Sequence, residues 1–157
     1  MQTTQQNQRR DSRLSPELAA AIRPATEAAS RLRLCGGRFE IYNVMDAVYC
    51  VYVDWKRRKT TKQSARALAD QLGIVRRKGM TSIRVLIEAV LPDADQKQKS
   101  RWVRALEYIY SQDVPATKLQ QFARRHDGLA GCARLAVEVK RKRRRSLRDY
   151  PEGDWSD

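Results

Sequence analysis

The segment Phe39–Trp55 constrains the fold of this chain more than any other. Ile41, Met45, Val48, Tyr52 and Trp55 recur at spacings of 4, 3, 4 and 3 residues, and Tyr42 and Tyr49 widen the stripe. That period is one face of a helix. Its β-branched and aromatic content would also suit a strand pair, but its length favours the helix. A helix this apolar on one side needs neighbours to cover it. Because Tyr and Trp are continuous with Met and Val, they are expected to be core anchors; in the alternative, they would be stacking platforms for bases.

The remaining segments supply those neighbours. Ser15-Pro16-Glu17 opens a helix with a hydroxyl cap, a first-turn proline and an acid at the positive dipole end. Leu18, Ala21, Ile22, Ala25, Ala29 and Leu32 follow at helical spacing, and Pro24 is expected to kink or split the run before Cys35-Gly36-Gly37 ends it. Thr60 or Thr61 caps a helix carrying Ala65, Leu68, Ala69 and Leu72, which stops at Gly73. Thr81 or Ser82 restarts a helix, near Met80, with Ile83, Leu86, Ile87, Val90 and Leu91 inward and Pro92 at its end. Asp93 or Asp95 caps the next, where Trp102, Leu106 and Ile109 share a face. Asp113-Val114-Pro115 opens a helix bearing Leu119, Phe122 and Ala123. A last helix runs from Leu129 through Cys132, Ala133, Ala136 and Val137.

The expected fold is therefore all-α: a compact single-domain bundle of about six helices, containing one or two helix-turn-helix-like hairpins. Residues 1–13 read as a disordered arm, 14–145 as the helical domain and 146–157 as a flexible tail. A chain of 157 residues with 41% hydrophobic residues can bury one sizeable core. Cys35, Cys50 and Cys132 lack the paired spacing of a disulfide framework or a zinc site. Neither a secretory leader nor a run of 18 apolar residues is visible, so the expectation is a cytoplasmic protein with no membrane contact and no cofactor.

Charge points to the partner. The formal net charge is +14, concentrated in Lys56-Arg57-Arg58-Lys59 with Lys62, in Arg76-Arg77-Lys78, and in Lys140-Arg141-Lys142-Arg143-Arg144-Arg145. Cations clustered on the rims of a folded domain imply a polyanion, and nucleic acid is the commonest. The last run is expected to extend its helix and then fray, because like charges at i,i+4 repel.

Ala65-Arg66-Ala67-Leu68-Ala69-Asp70-Gln71-Leu72-Gly73-Ile74 resembles the first helix and turn of a helix-turn-helix, a resemblance extending over roughly residues 60–91. Gly79 falls where the second helix would need an apolar residue, so the turn must be enlarged. On that resemblance Thr81, Ser82 and Arg84 would face base edges, with Arg84 suited to guanine O6 and N7. Arg57, Arg58, Lys59, Lys62, Arg76, Arg77 and Lys78 would hold phosphates, as would Lys140, Arg141, Lys142, Arg143, Arg144 and Arg145. A weaker echo spans Lys118–Leu135.

Catalysis has little support. His126 is the one histidine, placed to cap a helix end. Asp93 with Glu138 superficially matches a metal-dependent nuclease pattern, but such carboxylates normally sit on strands. The expectation is a non-enzymatic DNA-binding protein, a transcriptional or mobile-element regulator, binding double-stranded DNA in preference to RNA or single-stranded DNA. A homodimer contact from the aromatic stripe or the first helix would suit that role. The rival readings are a helical structural subunit of a nucleoprotein assembly and a basic adaptor or inhibitor for an acidic protein.

Overall fold

A computed structural model describes residues 13–148, so most of the expected N-terminal arm and the tail from Asp149 onward lie outside the described residues. Seven α-helices follow one another: α1 (Pro16–Cys35), α2 (Arg38–Arg57), α3 (Thr61–Leu72), α4 (Ser82–Val90), α5 (Gln96–Ser111), α6 (Leu119–Arg125) and α7 (Gly128–Arg148), with a 3-10 turn at Ala116–Lys118. The all-α expectation holds, with seven helices in place of about six and no strand among the described residues.

Helix α2 is the axis of the bundle, packing against α1, α3, α4, α5, the 3-10 turn and α6. Its stripe explains why: Val44, Met45, Val48 and Tyr49 are wholly buried, and Tyr52 and Trp55 nearly so. Tyr49 lends its hydroxyl to the Val114 carbonyl at 2.7 Å, which fixes the loop ahead of the 3-10 turn. Tyr52 meets Tyr110 edge-on, ring centres 5.1 Å apart. Tyr49, Tyr52 and Trp55 are core anchors, as their continuity with Met45 and Val48 predicts.

Helix α1 continues through Pro24 as one element, so the run is not split there. One lost backbone hydrogen bond is outweighed by burial of Ile22 and of Ala25, Ala28 and Ala29, small residues that let α1 lie close along α2. Ser15 caps the start, accepting the Leu18 N–H at 3.4 Å, and its own N–H reaches Gln71 of α3 at 2.7 Å.

Asp95 is the cap of α5, accepting from Lys97 and Gln98 at 2.9 and 3.1 Å. Helices α5 and α7 form the most extensive pair, with Leu129, Cys132, Ala133 and Ala136 turned inward. The chain enters α7 through Asp127 and Gly128, both at positive φ (58° and 76°), and Tyr42 accepts the Leu129 N–H at 3.4 Å.

The hairpins do not establish a helix-turn-helix. Residues 73–81 separate α3 from α4, so the turn is enlarged as expected, and the second helix restarts at Thr81 (its cap) and Ser82 (its first residue). In the second hairpin α6 has only seven residues and is joined to α7 through His126 and Asp127. His126 caps the end of α6 through its backbone N–H, and its ring lies 4.4 Å from the Phe122 ring.

Candidate nucleic-acid interface

The first basic block turns the corner between α2 and α3. Lys59 takes a left-handed conformation (φ 59°) that holds the corner open, and Lys56 to Lys59 and Lys62 are exposed. Asp54 partly neutralises this block. Its two carboxylate oxygens bind Arg57 at 2.8 Å and Arg58 at 2.9 Å, one turn along the same helix. Lys56 lies over the Tyr52 and Tyr110 rings at 5.4 and 5.6 Å, a cation–π arrangement.

The second block forms the loop after α3. Gly73 ends that helix at φ 68°, and a tight turn from Arg77 to Met80 is closed by the Met80 N–H on the Arg77 carbonyl at 3.0 Å, with Gly79 at φ 80°. Arg76, Arg77 and Lys78 are exposed, and among the described residues no carboxylate pairs with them.

Thr81, Ser82 and Arg84 follow, and the structure gives Thr81 and Arg84 structural duties. The Thr81 hydroxyl caps α4, accepting the Arg84 N–H at 3.4 Å, while Ser82 is the first residue of the helix. The Arg84 guanidinium points to the protein: Nε donates to Glu88 at 2.9 Å, Nη1 to Ser100 at 3.0 Å, and Nη2 to Gln96. With its side chain only 19% exposed, it is turned away from a base edge. Here the expectation of a base-reading arginine meets a physical obstacle: Glu88, one turn further on, captures the fork.

Lys99, which sequence reasoning missed, completes that network. It is wholly buried, with Nζ 2.6 Å from Glu88 and 2.7 Å from the Pro92 carbonyl. Burial pushes the Glu88 carboxyl up, but the hydrogen bonds from Lys99 and Arg84 outweigh it and hold the group below its usual range.

Beside this network runs an open groove of about 930 Å³, shaped by the 73–81 loop, α4, α5 and the middle of α7. Arg77, Lys78, Arg104 and Lys140 line it together with Arg84, against the carboxylates of Glu88 and Glu107. Two basic blocks far apart in the chain thus meet at one groove. From Lys140 to Arg145 the third block extends α7 as exposed helix, as expected, and Ser146 to Arg148, assigned to the tail, are helical too.

A second hollow of about 590 Å³ lies between α2 and α6, lined by Asp46, Thr117, Gln120, Gln121, Arg124 and Arg125. Burial raises the Asp46 carboxyl, against a 3.0 Å hydrogen bond from Gln120, and its Oδ1 has no partner among the described residues. Asp93 is exposed in the turn before α5 and Glu138 is exposed on α7. No group of three or more His, Cys, Asp or Glu residues is placed to hold a metal among the described residues, and no described helix is long and apolar enough to cross a membrane. Comparison with protein-family models, curated proteins and solved structures gives no match for this chain.

Proposed function

We propose that the protein is a non-enzymatic DNA-binding module that grips the phosphate backbone of a duplex, serving a transcriptional or mobile-element regulator or a nucleoprotein assembly. The observation that carries this reading is the groove where Arg77 and Lys78 of the loop meet Lys140 at the root of the basic run, none of them neutralised by a described carboxylate. Cations left unpaired along a continuous track gain most by displacing the counterions of a polyanion.

Between the two roles, the engagement of Arg84 favours the assembly subunit, in which backbone contacts position the protein without reading sequence. A helix-turn-helix regulator would need Ser82, Thr81 or other residues near the start of α4 to supply the readout.

The test is binding of labelled duplex DNA, single-stranded DNA and RNA across a salt series. Duplex binding with log Kd rising steeply with log salt is expected, and changing Arg76, Arg77 and Lys78 together to alanine should lower the slope by about 2 to 3. Absence of duplex binding even at low salt would overturn the reading. A recovered sequence motif in a random-pool selection would move the role to regulator.

A further inference from the structure

Helix α7 has two parts of opposite character. Its first turns are buried against α5 through Leu129, Cys132, Ala133 and Ala136. From Glu138 to Leu147 every residue is exposed, so this part is a solvent-facing helical arm roughly 15 Å long.

The distribution of charge on the arm is what identifies its partner. Six consecutive cations, Lys140 to Arg145, advance by about 100° each and so surround the whole circumference of the helix. A helix that lies on a flat anionic surface, such as a membrane, carries cations on one face and a continuous apolar face opposite. This arm has no such face; Val139 and Leu147 stand singly at its two ends, 53% and 70% exposed. Nor does it carry the repeating apolar seam of a coiled coil. Charge on every side is useful only where anions stand on every side.

The major groove of B-DNA is such a place. It is about 12 Å wide, walled by phosphates on both flanks and floored by base edges, and a helix with its side chains is about 10–12 Å across. Four of the six cations are arginine (141, 143, 144 and 145), the side chain that bonds guanine O6 and N7 in a bidentate fork. We infer that the α7 arm, and not α4, is the element that enters the major groove of duplex DNA. This inference rests on the DNA-binding reading above.

The geometry at the root of the arm supports it. Lys140 shares the groove on the protein with Arg77 and Lys78, so the loop is placed to hold the phosphate strand flanking the DNA groove that the arm occupies. Arg84, Glu88 and Lys99 stay inside the protein as the tie between α4 and α5. In the free protein, like charges three and four residues apart on the arm repel each other; phosphates on both walls relieve that repulsion.

Dimethyl sulfate methylation of guanine N7 reports the major groove directly. It is measured on a short GC-containing duplex saturated with protein at low salt, beside hydroxyl-radical cleavage, which reports the backbone. Three proteins are compared: the full chain, an arm variant (K140Q, R141Q, R143Q, R144Q) and a loop variant (R77Q, K78Q). Glutamine keeps the helix propensity, and all four substituted residues are exposed, so an unchanged thermal midpoint confirms that the arm variant is folded.

The full chain should protect N7 and the backbone. The arm variant should bind at least about tenfold more weakly and, at saturation, still protect the backbone while leaving N7 reactive. The loop variant should bind more weakly yet protect N7 when saturated. Reactive N7 under the saturated full chain, with the backbone protected, would overturn the arm's placement while leaving DNA binding intact. Retained N7 protection by the arm variant would overturn it equally. No protection of either kind would remove DNA binding itself, and the inference with it.

Discussion

Lys99 and Glu88 meet in a 2.6 Å charged hydrogen bond at the join of α4 and α5, with the lysine wholly sealed from solvent. The Pro92 carbonyl accepts a second hydrogen bond from the ammonium at 2.7 Å, and Arg84 holds the other oxygen of Glu88 at 2.8 Å. Removing the carboxylate strands the ammonium in the interior, whereas removing the lysine leaves Glu88 with Arg84. Glu88→Gln should therefore cost about 3–5 kcal/mol, and Lys99→Met, which fills the space with an apolar chain, clearly less. Urea unfolding of both variants checks the order; a larger loss for Lys99→Met would refute this account of the pair.

The same pair sets a pH dependence. Glu88 is held below its ordinary value of 4.5, so its contribution to stability is complete above that value and is lost as pH falls through the lower, folded-state value. Asp46 is shifted the other way, raised above 3.8 by burial, so its charged form costs stability at neutral pH and the cost disappears in acid. Asp46→Asn should raise the unfolding midpoint modestly at pH 7 and have no effect once the carboxyl is protonated. In Glu88→Gln the loss of stability on acidification should be shallower than in the parent.

Much of this arrangement is written in local pattern. The spacing of Met45, Val48, Tyr52 and Trp55 identifies the central helix, and the basic blocks are exposed as their charge demands. Lys99 falls in phase with Trp102, Leu106 and Ile109, so periodicity alone puts it inside; a lysine there looks like an interruption until α4 delivers Glu88. Likewise Glu88, four residues after Arg84, is a visible rival for the guanidinium, but the contacts with Gln96 and Ser100 exist only once α5 folds back. Pro24 misleads because a local helix breaker is overruled by packing along α2. That Lys78 and Lys140 line one groove is purely tertiary, and no sequence period encodes it.

Two glycines at the α6–α7 join should respond differently to alanine. At Gly128 (φ 76°) a methyl carbon would lie 2.7 Å from the Tyr42 hydroxyl, whereas at Gly131 it would run into the His126 backbone carbonyl. Both variants should be destabilised, Gly128→Ala by about 1–2 kcal/mol from its left-handed backbone alone. Adding Tyr42→Phe removes the obstructing oxygen and should recover part of the loss in Gly128→Ala and none in Gly131→Ala. Equal behaviour in the two double variants would show that the hydroxyl is not the obstacle.

The thiols offer a test of the core. Cys132 is buried and its pKa is pushed up to about 11 by that burial, while Cys35 and Cys50 are exposed. Burial and the nearby Asp46 carboxylate also raise Cys50, which should slow its reaction without preventing it. Titration with a thiol reagent at mildly alkaline pH should label two cysteines in the native protein and the third only on unfolding. Prompt labelling of all three would contradict the packing of α7 on α5.

Asp54 gives the sharpest test of where the proposed DNA-binding surface ends. Its carboxylate holds both Arg57 and Arg58, whose side chains are 77% and 66% exposed, so it withholds two guanidiniums from any anion at this corner. Exposed pairs of this kind contribute at most about 1 kcal/mol to folding, so Asp54→Asn should leave the thermal midpoint almost unchanged. If the corner between α2 and α3 contacts phosphates, the same substitution should tighten duplex binding several-fold and steepen the salt dependence by about 1 to 2, as freed arginines displace further counterions. Unchanged affinity in a folded Asp54→Asn protein would confine the interface to the groove and the arm, and would turn the Arg57–Lys62 corner into a solvated rim.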